Sequence, residues 1–245
     1  MNLGTNEITF CGQACFAIKT QSGKHWIVDP WLEQNPACPT RLKDPAKVDT
    51  LLITHAHFDH IGDALRLARK HDATAIGIFE TVAWLHKKGV QNIVGFNKGG
   101  TIERDGVKVT MTHAVHSCGI SDGDEILYGG EACGYVITLE NGTRIYHAGD
   151  TMVFGDMKLI GELFKPDIAL LPIGGSYTMD PMQGAHAIRL LGTKVIVPMH
   201  YGTFPVLTGT PEQLRDFTKD ISGLQLIDLR PGETLTGELK RLVPA

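Results

Sequence analysis

Three imidazoles and a carboxylate fall within six consecutive positions of the run Thr54-His55-Ala56-His57-Phe58-Asp59-His60. The run follows Val48, Leu51, Leu52 and Ile53, an apolar stretch expected as a buried strand, so its polar groups emerge where a strand ends and a cleft begins. An extended backbone would send His55, His57 and Asp59 to one side and His60 to the other, because side chains alternate along a strand. One cluster could then serve two neighbouring ions. Neutral imidazole and carboxylate suit Zn, Mn, Fe, Co or Ni, and a run without thiolate argues for a catalytic site over a closed structural zinc.

The pattern H-x-H-x-D-H resembles the signature of the metallo-β-lactamase superfamily, whose members are mostly metal-dependent hydrolases. The resemblance implies further ligands downstream, and candidates stand in the required order. They are His116 in Thr112-His113-Ala114-Val115-His116-Ser117, Asp150 in Tyr146-His147-Ala148-Gly149-Asp150-Thr151, and His200 in Val197-Pro198-Met199-His200-Tyr201. More narrowly, the chain is similar to a bacterial and archaeal family of metal-dependent hydrolases near the ascorbate-6-phosphate lactonase branch. Thr54 to Asp63, Gly129-Gly130, Ala148-Gly149-Asp150-Thr151, Leu171-Pro172-Ile173-Gly174-Gly175 with Thr178-Met179, and His200-Tyr201-Gly202-Thr203-Phe204 carry that likeness.

By this resemblance His55, His57 and His116 hold one divalent ion, Asp59, His60 and His200 hold a second, and Asp150 bridges them. Zn or Mn are the foremost ions implied, with Ni, Fe or Co as alternatives. Two such ions lower the pKa of a bound water, so the implied nucleophile is a metal-bound hydroxide. Asp59 counts among the catalytic groups as well as the ligands. No G-x-S-x-G elbow offers a protein nucleophile. Tyr201 and His186 are candidate donors to the oxyanion, each weighed against an ordinary packing or surface role. His147 is a candidate for orienting a ligand.

The elements that must position these groups can be read from pattern. Ile8 to Phe10, Cys15 to Lys19 and His25 to Val28 suggest antiparallel strands, with Asp29-Pro30-Trp31 ending the meander. Asp63 is placed to cap a helix carrying Ala64, Leu65, Leu67 and Ala68, and a second helix is expected from Thr81 to Lys88. Val107, Val109 and Met111 alternate with Lys108, Thr110 and Thr112 in a half-exposed strand leading to His116. His113 shares the parity of the valines, but Ser117 after His116 matches the superfamily's third motif, so His116 is preferred with His113 as the alternative. Gly134 to Leu139 and Arg144 to Ala148 flank the hairpin signal Asn141-Gly142, which carries Asp150 onward. Ile168 to Pro172 and Val195 to Val197 are expected strands, and Asp180-Pro181 opens a helix ending at Gly192. Pro211 to Thr218 closes as a helix, with strands expected from Leu224 to Leu229 and Glu233 to Thr236. The resulting fold class is α/β, a four-layer αββα metallo-β-lactamase-like sandwich of two mixed sheets with outer helices, in a single domain over 1–245.

Composition narrows the function classes. A formal charge of −4 over 245 residues leaves no basic footprint for nucleic acid. Met1 to Glu7 lacks the layout of a leader and no apolar stretch spans a bilayer, so the expected address is the cytoplasm. The five cysteines, Cys11, Cys15, Cys38, Cys118 and Cys133, show no C-x-x-C spacing and are expected as free thiols. Cys118, two residues beyond His116, is more readily a buried thiol than a ligand. Ser117 to Gly130 is either a lip over the metals or a solvated loop.

The leading function is a binuclear metal-dependent hydrolase acting on a small ester-like substrate, with a lactone or phosphate-containing metabolite favoured by the resemblance. A phosphodiesterase of the same superfamily is the second reading, lowered by the negative charge balance. A diiron oxidoreductase is disfavoured because that branch places an acidic residue where His57 stands. The non-enzyme reading is a metal-binding or interaction protein on the same scaffold, against which the full ligand complement argues. The expected partner is a small-molecule substrate, with no nucleic acid and no membrane, and self-association into a homo-oligomer stays open.

Overall fold

The computed structural model describes residues 2–242. Met1, the first residue of the stretch inspected for a leader, lies outside them.

Six strands build most of one sheet: β1 (Glu7–Gly12), β2 (Cys15–Lys19), β3 (His25–Val28), β4 (Thr50–Ile53), β5 (Thr74–Ile78) and β6 (Ile93–Phe96). The second sheet takes β7 (Thr101–Arg104) and β8 (Val107–His113), and a separate hairpin follows as β9 (Gly119–Asp122) and β10 (Glu125–Tyr128). The second sheet then continues with β11 (Cys133–Thr138), β12 (Arg144–His147), β13 (Ile168–Pro172), β14 (Val195–Met199) and β15 (Gln225–Leu226). The chain finally returns to the first sheet as β16 (Thr234–Thr236) and β17 (Lys240–Leu242). The sheet orders are β17-β16-β1-β2-β3-β4-β5-β6 and β15-β14-β13-β12-β11-β8-β7. Each sheet is mixed: β3 to β6 and β12 to β15 pair in parallel, the remaining neighbours antiparallel.

Both faces of each sheet are buried, which is why the central strands are almost continuously apolar. Leu52, Phe16 and Trp26 of the first sheet meet Val109, Tyr135, Leu170 and Val197 of the second in one interior cluster. Alternate residues face outward: Leu51 and Ile53 pack on α2 (Ala64–His71) and α3 (Phe79–Lys87) through Leu67, Val82 and Leu85. On the other side Tyr146, Ala169, Leu171 and Ile196 pack on α4 (Met157–Phe164), α5 (Pro181–Leu191) and α6 (Pro211–Phe217). The three clusters make four layers, α, β, β, α. Each buried Leu, Ile or Val adds about 1.5–3 kcal/mol relative to exposure, so the sandwich rests on many such side chains.

Local signals act where the sequence places them on α5. Asp180 Oδ1 accepts from Gln183 N at 2.8 Å, Pro181 opens the helix, and Gly192 closes it with φ 68°. Asp63 departs from its expected role. It precedes α2 without capping it, because Oδ2 accepts instead from Leu32 N and Glu33 N and Oδ1 from Arg66 Nε. Its carboxylate thus ties the segment after β3 to the start of α2. No described helix is long and apolar enough to cross a membrane.

Candidate metal centre

The loops that carry the candidate ligands leave the C-terminal ends of β4, β8, β12 and β14. Strands β8 and β12 both pair antiparallel with β11, so they run the same way and discharge their loops at one edge of the sandwich. Cys133 N donates to Thr54 O at 3.1 Å, stitching the end of β4 to that edge. Close approach is needed here, and two glycines permit it. A Cβ on Gly149, whose φ is 62°, would lie 2.6 Å from Cys133 O, and one on Gly174 would lie 2.1 Å from His200 O.

At that edge the structure brings His55, His57 and His116 into one group and Asp59, His60, Asp150 and His200 into a second, each with its donor atoms within 4.8 Å of one another. The partition differs from strand alternation, which would have kept Asp59 with His55 and His57. The backbone leaves the extended state at His57 and Phe58–Ile61 forms the short helix α1, swinging Asp59 and His60 together into the second group. His55 Nε2 and His116 Nε2 converge on His57 Nδ1 at 3.0 and 3.3 Å. Asp150 Oδ2 lies 3.9 Å from His55 Nε2, 3.7 Å from His116 Nε2, 3.3 Å from His60 Nε2 and 3.0 Å from His200 Nε2. One carboxylate oxygen therefore faces both groups.

The donor set fits divalent ions. His60 Nε2 and Asp150 Oδ1 are buried without hydrogen-bond partners among the described residues, an arrangement that is costly unless something else takes up their lone pairs. His60 Nδ1 donates to Asp29 Oδ2 at 2.8 Å, which leaves Nε2 with its lone pair aimed into the group. Thr54 Oγ1 donates to the same Asp29 oxygen at 2.8 Å and lies 3.1 Å from His55 Nδ1, so Asp29 also orients His55 through a hydroxyl. Gln13 Nε2 donates to Asp59 Oδ2 at 2.8 Å.

Electrostatics separates the two groups. Burial, reinforced by neighbouring imidazoles, pushes His55, His57 and His116 below the ordinary histidine value, which favours the neutral form that a metal requires. In the second group burial would also lower the histidines, but Asp150, Asp59 and Asp29 outweigh it at His60, and Asp150 and Asp59 push His200 up to about 9. Burial would raise both carboxyls, yet the facing imidazoles His60 and His200 hold Asp59 and Asp150 below the usual carboxylate range. The buried negative charge of this group is thus balanced by protons where no ion is bound.

The other candidates lie elsewhere. Tyr201 Oη donates to Asp228 Oδ1 at 2.6 Å and lines a separate cavity, and burial together with that carboxylate raises its pKa. It is thereby withdrawn from the oxyanion position expected for it. His186 is exposed on α5 and does not line the metal cleft, so it too lies outside the expected role. His113 is exposed, with Nδ1 3.0 Å from Lys98 Nζ. His147 spans the backbone rather than a ligand: Nε2 donates to Ala14 O at 2.9 Å and Nδ1 accepts from Gly149 N at 3.1 Å. Cys118 Sγ faces Gly129 O at 3.3 Å outside both groups. The Ser117 to Gly130 segment forms the β9–β10 hairpin, and Ser117 and Ser121 reach the cleft as a lip.

Three residues that sequence reasoning did not place in the site belong to its surroundings. Asp29 stands at the end of an apolar strand before proline, where the family resemblance begins, with no role in the site attached to it. Gln13 carried no local signal. Phe204 stood in a motif without a chemical reason attached. Asp29, Gln13 and His200 all adopt left-handed backbone conformations, with φ of 50°, 59° and 56°, a concentration of strain typical of functional sites.

The chain is similar to known proteins. The β-lactamase superfamily domain matches residues 25–201. A UPF0173 metal-dependent hydrolase of Koribacter versatilis is 54% identical over 234 residues, covering 96% of this chain and 99% of that protein. Another, from Rubrobacter xylanophilus, is 47% identical over 235 residues, covering 95% and 97%. Among solved structures, the metallo hydrolase Igni18 of the archaeon Ignicoccus hospitalis superposes with a TM-score of 0.85 at 38% identity, covering 96% of this chain and 100% of that one.

Proposed function

From a chain that belongs to the β-lactamase superfamily, and within it to the UPF0173 metal-dependent hydrolases, we propose a binuclear hydrolase that cleaves a small ester-like substrate. The metal dependence and the hydrolase class follow from that membership; the two-ion site and the substrate are the proposal. The observation that carries it is the position of Asp150 Oδ2, within 3.9 Å of ligand nitrogens from both groups. Among the residues of this chain, His55, His57 and His116 would hold one ion, Asp59, His60 and His200 the other, and Asp150 would bridge. Two ions so held would supply an activated water near neutral pH and positive charge for the developing oxyanion.

The remaining roles belong to the protein. Asp29 fixes the tautomers of His60 and, through Thr54, of His55. Gln13 holds Asp59 in place. Ser117 Oγ, 3.3 Å from His57 Nε2 at the cleft wall, and Ser121 on the lip offer hydroxyls to a bound carbonyl or alkoxy oxygen. This nitrogen and oxygen donor set suits Zn, Mn, Fe, Co or Ni, and Zn and Mn are the ions to test first. Lactones and phosphate-containing metabolites are the two substrate classes to compare first.

The test is direct. Protein purified metal-free and reconstituted with Zn or Mn should bind two ions per chain and hydrolyse members of a lactone, ester and phosphodiester panel. Retention of two ions with no turnover on any of them would remove the hydrolase proposal. Retention of one ion would remove the binuclear part alone.

A further inference from the structure

The ligand groups form the floor of a cleft of about 650 Å3, a volume that takes a ligand of ordinary metabolite or drug size. Its walls are of different chemistry from its floor. Phe58, Tyr177, Phe204, Pro205 and Val206 make up most of them beside Ser117 and Ser121, and among the described residues no lysine or arginine lines the cleft. Phe58, Tyr177 and Val206 are 60%, 64% and 45% exposed, so large apolar side chains face solvent around a metal-ligating floor. Apolar side chains gathered at the mouth of a cleft mark a ligand surface more often than scattered ones do.

The wall is braced. Trp31, itself buried, meets Phe58 edge-on with ring centroids 5.7 Å apart and stacks on Phe204 at 5.9 Å. The two rim phenyl rings thus share one backing and present a fixed apolar face. Phe58 lies between the ligands His57 and Asp59, so this face begins beside the metals.

Charge argues in the same direction. An anionic reacting group could be met by the ions, but a phosphorylated arm extending from it would lie along the wall. There it would lose hydration and, among the described lining residues, find no cationic partner, with only the hydroxyls of Ser117 and Ser121 to receive it. An aliphatic or aryl arm would lose only unfavourable hydration.

We propose that this cleft selects carboxylic esters or lactones whose non-reacting arm is uncharged and apolar, seated against Phe58, Tyr177, Phe204 and Val206. The proposal rests on the hydrolase reading above and decides between its two substrate classes. In the reaction, water adds to the carbonyl carbon, the acyl carbon–oxygen bond breaks, and the departing oxygen takes a proton. The products are a carboxylic acid, which ionises, and an alcohol; in a lactone both stay on one molecule.

The test uses the full chain reconstituted with two ions, p-nitrophenyl esters from acetate to decanoate, γ-lactones with alkyl arms of increasing length, and a phosphorylated sugar lactone. The expected result is a kcat/KM that rises about fourfold per methylene until the wall is covered, with the phosphorylated lactone slower than neutral lactones of similar size. Decanoate should bind the same protein by calorimetry with a negative heat-capacity change, a readout independent of turnover. Val206→Lys should shift the ratio of neutral to phosphorylated substrate at least tenfold toward the phosphorylated one. Phe204→Ala should flatten the chain-length series, and Phe58→Ala serves the same purpose if loss of the Trp31 stack unfolds the first variant.

A flat or falling series with turnover present would overturn the proposal while leaving the hydrolase reading intact, as would faster turnover of the phosphorylated lactone. No turnover of any substrate by the two-ion protein would overturn both. If Val206→Lys and Phe204→Ala dissociate an oligomer and leave the substrate ratios unchanged, the wall is a subunit interface and the proposal falls.

Discussion

Gln13 and His200, separated by 187 positions in the chain, meet twice: Gln13 O accepts from His200 N at 2.7 Å, and Gln13 Nε2 lies 2.8 Å from His200 Nε2. The tip of the β1–β2 hairpin in the first sheet thereby sets the backbone and side chain that follow β14 in the second. The same amide holds Asp59. Replacing Gln13 by Leu removes both side-chain contacts and keeps most of the volume. The expected outcome is a roughly 10–100-fold loss of affinity for the second ion, read by metal titration, with circular dichroism unchanged. Unaltered affinity would show that the hairpin tip does not organise the ligands.

Asp29 supports two candidate ligands, His60 and through Thr54 His55, from one carboxylate. Asp29→Ala leaves His60 Nδ1 and Thr54 Oγ1 without their acceptor, both buried. Loss of metal affinity should therefore extend to both ions, again about 10–100-fold, and stability should fall by about 1–3 kcal/mol per unsatisfied group. Chemical denaturation of the metal-free protein separates the second effect from the first.

The bridging geometry of Asp150 predicts a contrast between variants. Asp150→Ala should reduce binding at both positions, whereas His116→Ala should empty only the three-histidine group. Elemental analysis after dialysis distinguishes them. Equal stoichiometry in the two variants would argue against a shared ligand.

Protons and ions compete for the second group. His200 is pushed up to about 9 by Asp150 and Asp59 against the opposing effect of burial, so its protonated form stabilises the metal-free fold. That contribution is complete below the ordinary histidine value of about 6.5 and is lost as pH rises through about 9. Once that proton leaves, Asp59 and Asp150 lose one of the two imidazolium partners, His200 and His60, that offset their buried charge, unless an ion is present. The Tm difference between metal-loaded and metal-free protein should therefore widen from about pH 6 to about pH 9.5, and ion binding near neutrality should release protons. A difference that narrows over this interval would contradict the exchange of protons for metal.

Backbone geometry offers a further check at Gly149, where φ is 62° and a Cβ would lie 2.6 Å from Cys133 O. Gly149→Ala should destabilise the fold by roughly 1–3 kcal/mol and displace Asp150, its neighbour. Thermal unfolding and ion stoichiometry should both fall, and a change in neither would show that the loop relaxes freely.

The sequence alone carried whatever depends on residue type and a few neighbouring positions. The run from Thr54 to His60 announced metal because imidazole and carboxylate have no commoner joint use at that density. Strands β4, β13 and β14 were legible because burial on both faces demands unbroken apolar residues, and α5 because Asp180, Pro181 and Gly192 act within one turn of the helix ends. The same locality explains the failures. Alternation misassigned Asp59, since Phe58–Ile61 coils into α1 under tertiary packing rather than continuing the strand. Tertiary structure alone set Gln13 beside His200 and Asp29 beneath His60, withdrew Tyr201 to Asp228, and gathered Phe58, Phe204 and Val206 into one wall. These relationships join residues brought together only when two sheets close on one another, and no rule reaching a few positions along a chain can contain them.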